Sequence, residues 1–164
     1  MITPAQFQKR LENDYRMMST LPEYMTWSPI GSGRPPRKYM VTIHKRYEAV
    51  DRRFYNSISL LMELPDDYIE KGPLIRVAPG YPIPYAPNWF TIGNICKGNI
   101  WKILKGSMTL PDFLINVTRV LVHDPKVTDP TSPANITARN TYYSPTSDGK
   151  WKAKSTYVMT DSLD

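Results

Sequence analysis

Proline is the residue that most restricts how this chain can fold. The sequence of 164 residues contains 16 prolines, and each one fixes its own φ angle and lacks the N–H that helix interiors and central strands use. Prolines are instead favoured in turns and at the first position of helices. We therefore expect a domain with many ordered loops in which proline recurs, and the sequence shows no internal repeat or low-complexity segment.

The length and composition predict a single domain. Hydrophobic residues make up 41% of the chain, which is enough for one core without disulfides or bound metal. Cys96 is the single cysteine, so an intramolecular disulfide is excluded and a reducing compartment is favoured. Residues 1–6 lack the features of a signal peptide, and no apolar run reaches membrane-spanning length. We expect a cytoplasmic protein that does not contact a membrane.

Two segments combine helix start signals with an apolar stripe. The run Thr3-Pro4-Ala5-Gln6 is typical of a capping box with proline at the first helical position, and the apolar spacing after it predicts a helix over residues 4–18. Thr109 caps a second predicted helix, which ends at His123. The residues expected on the buried faces are Phe7, Leu11, Tyr15 and Met18 in the first helix and Phe113, Leu114, Val117, Val120 and Leu121 in the second.

Short apolar runs between these helices predict an antiparallel meander. The predicted strands are 39–43, 57–64 and 74–77, and they follow a loop rich in proline and glycine that extends through Arg37. A third, short helix is predicted to begin at Ser132. The expected class is therefore α+β, with a helix, a meander, a loop and further helices in that order.

The segment around Cys96 indicates a functional thiol. A lone cysteine is usually a small buried apolar residue, but the run Gly-Asn-Ile-Cys-Lys-Gly over residues 93–98 is too polar for a core strand. His44 and His123 are distant in sequence, so neither a Cys/His hydrolase nor a zinc site is favoured, and no metal or cofactor is expected. A cysteine without a neighbouring base suits thioester exchange, in which one thiolate replaces another of similar pKa.

Several motifs resemble those of ubiquitin-conjugating enzymes. That family carries His-Pro-Asn and then, eight positions after the Asn, the active-site Cys in a Gly-x-Ile-Cys setting. The matching residues are Pro87, Asn88, Gly93, Ile95 and Cys96, with Ala86 where the family has His. Further matches are Pro65, Tyr68 and Pro73 in a proline-rich segment before the site, and Asp124-Pro125, Ser132-Pro-Ala-Asn135 and Ala138 after it.

The resemblance implies the fold of that family, the UBC fold. It predicts a catalytic domain over residues 1–143 with an N-terminal helix, an antiparallel meander, an active-site loop and C-terminal helices. After Tyr143 the resemblance fades, because 144–150 is a turn-forming stretch. Residues 144–164 are expected to be a divergent tail, which is a strand, a docking segment or partly disordered.

The resemblance also implies roles for four residues. Cys96 is the expected acyl carrier, and Asn88 the expected donor to the oxyanion that forms when an amine attacks. Asparagine after proline is also a common turn residue, so a structural role for Asn88 stays equally open. Ser132 is the first choice for contacting the incoming lysine, although serine before proline is also typical of a helix cap. Asp129 is the second choice.

The implied partners are an ATP-dependent activating enzyme, a ubiquitin-like protein and a target protein. The net charge is +6, and Lys9, Arg10 and Arg16 are expected on the solvent side of the first helix, where the family contacts its activating enzyme. Such a basic face speeds encounter with an acidic partner.

The ligase is left open by the sequence. Glu70 replaces a Phe in the loop with which the family receives ligases, and the second ligase-facing loop is expected within 106–111. Transfer with a specialised ligase and transfer without one are both compatible with these residues. The divergence resembles conjugating enzymes of bacterial ubiquitin-like systems, including antiphage-defence operons.

Two alternatives to a conjugating enzyme remain. A nucleic-acid-binding module could use the basic residues together with Tyr39, Tyr47 and Tyr55, but the sequence lacks a recognisable binding motif and this alternative leaves Cys96 unexplained. A catalytically weak scaffold related to conjugating enzymes is favoured by Ala86 and disfavoured by the retention of Cys96.

Overall fold

A four-stranded antiparallel sheet covered on one face by helices forms the centre of the protein. The computed structural model describes residues 2–98, 100–101 and 108–163. Its elements are α1 (Pro4–Met17), a 3-10 turn (Met18–Thr20), β1 (Met25–Pro29), β2 (Lys38–Ile43), β3 (Tyr47–Glu48), β4 (Phe54–Tyr55), β5 (Ile58–Glu63), α2 (Tyr68–Lys71), β6 (Leu74–Val77), α3 (Leu110–Leu121), α4 (Ile136–Tyr142), β7 (Tyr143–Pro145) and β8 (Trp151–Ala153). The α+β class and the element order expected from the sequence are confirmed.

The sheet has the strand order β1-β2-β5-β6, and every neighbouring pair is antiparallel. Val41 is the partner of Leu60, which is in turn the partner of Val77, so these side chains share one face because alternate residues of a strand point the same way. That face packs on the buried residues of α1 and α3 in a single core. The strands β3 and β4 form a separate short ribbon.

The helix predictions are confirmed for α1 and α3. The Thr3 hydroxyl accepts from the Gln6 N–H at 3.1 Å, and the Gln6 side chain accepts from the Thr3 N–H at 2.8 Å. Thr109 and Asp112 make the equivalent reciprocal cap at α3. The stripe expected to be buried in α3 is fully inside the core. Among the described residues, no helix is both long enough and apolar enough to cross a bilayer.

Two predictions about local structure are wrong. Residues Met25–Pro29 form the edge strand β1, although they fall within the predicted loop; an edge strand tolerates proline because one side of its backbone makes no ladder bonds. The third helix begins at Ile136 and not at Ser132. Its cap is Asn135, whose side-chain oxygen accepts from the Ala138 N–H at 3.0 Å.

The prediction that Arg10 lies on the solvent side of α1 is also wrong, because its side chain is mostly buried. Its guanidinium binds both carboxylate oxygens of Asp14 at 3.1 Å and donates to the Met108 carbonyl at 2.7 Å. Asp14 is 1% exposed and also accepts a hydrogen bond from the Tyr68 hydroxyl. Burial raises the pKa of the Asp14 carboxyl, and the bonds from Tyr68 and Arg10 oppose that rise. Arg10 therefore stabilises a buried carboxylate that joins α1 to α2.

The C-terminal segment packs on the rest of the protein. Strand β8 pairs with β7, and residues of both strands contribute to a small second cluster of mostly aromatic side chains. The Tyr157 hydroxyl donates to the carbonyl of His123, and the Thr160 N–H donates to the carbonyl of Val122 at 2.8 Å. Of the three possibilities for the tail, the structure shows a strand followed by a packed segment.

Candidate active site

A tight hairpin places Cys96 opposite Asn88. The chain reverses between Phe90 and Asn94, where the Phe90 N–H donates to the Asn94 carbonyl at 2.8 Å. Gly93 has a φ of 108°, a conformation that residues with a Cβ rarely adopt. After the turn, the Cys96 N–H donates to the Asn88 carbonyl at 3.0 Å. The eight-residue spacing therefore closes a tight turn that places the Asn88 backbone beside that of Cys96.

Trp89 holds this hairpin on the core. Its ring is fully buried, and its indole N–H donates to the Gly93 carbonyl at 3.0 Å. Trp89 and Ile95 also form an antiparallel bridge across the hairpin. Cys96 itself is half-buried, so the core fixes the backbone of the hairpin while part of the thiol residue stays accessible to solvent.

The four residues predicted as catalytic line one small cavity. Its volume is about 70 Å³, and its lining consists of Asn88, Cys96, Gly98, Ile100, Val120, Val127, Asp129 and Ser132. Pockets that enclose drug-sized ligands and cofactors measure roughly 300–1,000 Å³. The cavity is much smaller than such pockets, with room for about two water molecules, and Cys96, Asn88 and Ser132 all line it.

The Asn88 side chain binds the loop across the cavity. Its Oδ1 accepts from the Asp129 N–H at 2.7 Å, and its Nδ2 donates to the Asp129 carbonyl at 2.9 Å. A second contact of Nδ2, to the Ser132 carbonyl, is longer at 3.5 Å. Asn88 is 5% exposed. The amide therefore holds the 129–132 loop, and one of its two N–H groups is bound only weakly.

Ser132 and Asp129 occupy different positions in that loop. Ser132 is exposed, and within the described residues its hydroxyl makes no hydrogen bond. Asp129 accepts from the N–H of Thr131 at 3.0 Å and from the Thr131 hydroxyl. The Asp129 carboxylate therefore stabilises its own loop, whereas the Ser132 hydroxyl can contact an approaching group.

Lys97 is a neighbour of the site that the sequence did not single out. Its ammonium donates to the Gly72 carbonyl at 3.2 Å, and burial lowers the pKa of Lys97. It lines a separate groove of about 500 Å³ on the sheet, next to Leu61, Leu74 and Arg76. That groove does not include Cys96. Lys97 directly follows Cys96 in a polar run, but the sequence alone does not show that this residue lines the other groove.

The basic residues of α1 are not part of this cavity. Lys9 and Arg16 are exposed, as expected, while Arg10 is bound to Asp14. Of the segment 106–111 expected to face a ligase, residues 106 and 107 lie outside the described residues.

No protein-family model matches this chain, and no curated protein matches it. Solved structures do match. The ubiquitin conjugating enzyme E2 from Plasmodium falciparum superposes with a TM-score of 0.51 and 17% identity, over 71% of this chain and 96% of that one. The Plasmodium vivax ubiquitin conjugating enzyme E2 superposes with a TM-score of 0.50 and 19% identity, over 71% and 98% of the two chains.

Because these identities are low, the superpositions show the fold of the chain and not its chemical activity. The shared features are the mixed composition of helices and antiparallel sheet and the N-terminal helix α1. The fold expected from the motifs around Cys96 is thereby confirmed: the chain has the fold of the ubiquitin-conjugating enzymes.

Proposed function

We propose that the protein is a conjugating enzyme for a ubiquitin-like modifier. The observation that carries this proposal is the cavity in which Cys96 meets Asn88 and Ser132. The Cys96 thiolate attacks the thioester that links the modifier to an activating enzyme, and the thiolate of that enzyme leaves. A lysine amine of the target then attacks the new thioester, loses a proton and expels Cys96 as a thiolate. Neither step changes the oxidation state of an atom.

Reconstitution tests this proposal. The protein is incubated with a candidate activating enzyme, its ubiquitin-like protein and ATP, and the products are compared on reducing and non-reducing gels. We expect a single adduct that thiol reductant removes. If partners that are active with another conjugating enzyme give no such adduct with this protein, the proposal fails and the catalytically weak scaffold becomes the better description.

Asn88 has two functions in this proposal. It holds the 129–132 loop through Asp129, and its weakly bound N–H donates to the oxyanion as the amine attacks. Asn88→Ala is expected to keep loading of Cys96 within a few-fold but to slow discharge to free lysine by about 10²-fold, the effect of losing one such donor. Single-turnover chase assays measure the two steps separately. Asn56→Ala, at an exposed position, is the matched control, and equal loss of both steps would leave Asn88 only its structural role.

The exposed cations of α1 are the proposed contact with the activating enzyme. Because exposed charges act mainly on encounter, Lys9→Glu with Arg16→Glu is expected to slow loading roughly tenfold at low salt and less at high salt, with discharge from preloaded Cys96 unchanged. The matched control changes Lys150 and Lys152 to Glu; both are also exposed, but they lie immediately before and within β8, in the C-terminal segment. Similar slowing by both pairs would show an effect of net charge and not of α1.

The proposed setting is a bacterial ubiquitin-like pathway, including antiphage defence, in the cytoplasm. The support for it is the resemblance of the motifs together with their departures, Ala86 and Glu70. Residues 1–143 are the proposed catalytic domain, and residues 144–164 are its divergent tail. The target, and the choice between a specialised ligase and direct transfer, belong to the same proposal.

The structure weakens the alternative of a nucleic-acid-binding module, because most of the tyrosines that it would use are buried. Of the three tyrosines that would stack on bases, Tyr39 and Tyr47 are fully buried. The Tyr47 hydroxyl donates to the Pro82 carbonyl at 2.8 Å. The basic side chain of Arg52 is also paired, with the buried carboxylate of Glu48 at 2.7 Å. Bases cannot stack on rings that lie inside the core.

A further inference from the structure

A buried histidine contacts the segment that leads into the active-site hairpin. His123 follows α3 with a φ of 64°, and it is 2% exposed. Its Nε2 lies 2.8 Å from the carbonyl oxygen of Tyr85. Since a carbonyl only accepts, Nε2 carries the proton and donates. Tyr85 immediately precedes Ala86, whose methyl side chain has no donor.

Tyr85 is held from several elements at once. Its N–H donates to the Glu48 carbonyl at 2.8 Å, and its hydroxyl shares a hydrogen bond with Thr141 at 2.7 Å. The Arg52 guanidinium lies 4.5 Å from the centre of its ring. The bond from His123 fixes the remaining backbone group, the carbonyl, and that carbonyl sets the plane of the peptide that leads into Ala86.

The chain after Tyr85 carries the contacts that build the cavity. The Pro87 carbonyl accepts from the N–H groups of Ala134 and Asn135 at 2.7 and 3.0 Å. The next residue, Asn88, binds Asp129. A rotation of the peptide between residues 85 and 86 therefore moves the acceptor and the amide that position the whole 129–135 segment beside Cys96.

We infer that His123 is a positioning residue of the active site, which holds the Tyr85 carbonyl and thereby sets Asn88 against the 129–132 loop. The geometric part of this inference stands on the hydrogen bonds above. The kinetic part rests on the proposed function. His123 does not touch the cavity, so it acts through Tyr85 and Asn88.

The surroundings of His123 favour the neutral ring. Its ring centre lies 4.9 Å from that of Tyr142, whose hydroxyl donates to Glu48, the partner of Arg52. The backbone of Val158, in the tail, also faces the ring. Burial is the largest cause that lowers the pKa of His123, against opposing effects of the Tyr85 carbonyl and Glu48. A neutral imidazole with its proton on Nε2 still supplies the donor that the Tyr85 carbonyl accepts.

Two variants of similar length separate the donor from the volume. His123→Gln keeps an N–H donor near the position of Nε2, whereas His123→Met fills similar space without a donor. Both residues meet the same cost at a positive φ. His44, which is exposed, provides the control His44→Met.

Hydrogen exchange of the full chain, without any partner, tests the geometric part. In His123→Met, the amides of Asp129, Ala134 and Asn135 are expected to exchange about tenfold faster, as expected for the loss of one buried hydrogen bond. His123→Gln should restore most of the protection, and the amides of α1 should not change. The inference is overturned if Gln and Met behave alike, or if exchange accelerates by the same factor in α1.

The kinetic part is tested by the rate at which the modifier is transferred from loaded Cys96 to lysine. His123→Met should slow discharge about tenfold at saturating lysine while loading stays within a few-fold, and His123→Gln should recover most of the rate. Unchanged discharge in a variant with accelerated local exchange would refute the positioning role. Failure of the wild-type protein to form any thioester would instead refute the proposed function and leave the exchange result intact.

Discussion

Cys96→Ala is expected to abolish both the adduct with the modifier and its transfer to lysine. The two steps share the sulfur as acyl carrier, and no second cysteine exists to replace it. Other nucleophiles near the cavity are weaker: a serine hydroxyl such as that of Ser132 is a poorer nucleophile than a thiolate, and the Asp129 carboxylate accepts hydrogen bonds from its own loop. Reconstituted loading with an intact-mass measurement gives the result directly.

The same variant should remain folded, because the Cys96 backbone and not its sulfur makes the bond to Asn88. A change in the free energy of unfolding below about 1 kcal/mol is expected for removal of one half-buried sulfur. An unfolded variant would make the loss of the adduct uninformative about Cys96, so the denaturation curve is part of the experiment. An adduct on the folded alanine variant would contradict the acyl-carrier role.

Arg10→Met is expected to lower the free energy of unfolding by about 3–5 kcal/mol, because it leaves the buried Asp14 carboxylate without its cation. The same change removes the bond to the Met108 carbonyl. Lys9→Met, one residue away and exposed, should cost less than about 0.5 kcal/mol. Urea denaturation at constant m-value compares the two variants. Equal effects would mean that Arg10 is an ordinary surface residue.

The pH dependence gives this prediction a second readout. Loss of Arg10 removes one of the effects that oppose burial. The pKa of Asp14 therefore rises further, and the folded variant favours the protonated acid. In the unfolded chain, the Asp14 carboxyl has its ordinary pKa of 3.8. Above that pH, folding of the variant therefore requires that Asp14 either takes up a proton or is buried as a charged carboxylate. The difference in stability between Arg10→Met and wild type should be largest at pH 7 and should shrink as the pH falls to about 4.5. A difference that grows toward acid would contradict this account of Asp14.

Patterns that depend on local spacing were predictable from the sequence. The caps at Thr3 and Thr109 were identified because a capping box involves only four consecutive residues. The strands β2, β5 and β6 were located within one or two residues, since their apolar runs end at polar connections. The Cys96 segment was recognised from spacing, and the structure explains that spacing as the length of one hairpin.

Features that depend on partners distant in sequence were not predictable. Arg10 has the sequence environment of an exposed helical cation, and its burial depends on Asp14 meeting Tyr68, 54 residues further along. Ser132 and Asn135 are both good helix caps, and Asn135 is the cap because the Pro87 carbonyl binds the N–H groups of residues 134 and 135. His123 gave no signal, since its acceptor is the backbone of Tyr85, 38 residues away.

The linkage formed by Cys96→Ser tests the central claim most directly. A serine oxygen in place of the sulfur should accept the modifier more slowly and hold it as an oxyester, which thiol reductant leaves intact and mild alkali cleaves. The measurement is the mass and the mapped site of the adduct after each treatment, with the wild-type thioester alongside. The account predicts a reductant-resistant, alkali-labile adduct on residue 96 of the serine variant and a reductant-labile one on the wild type. An adduct that survives both treatments, or one that maps to a lysine in both proteins, would contradict it.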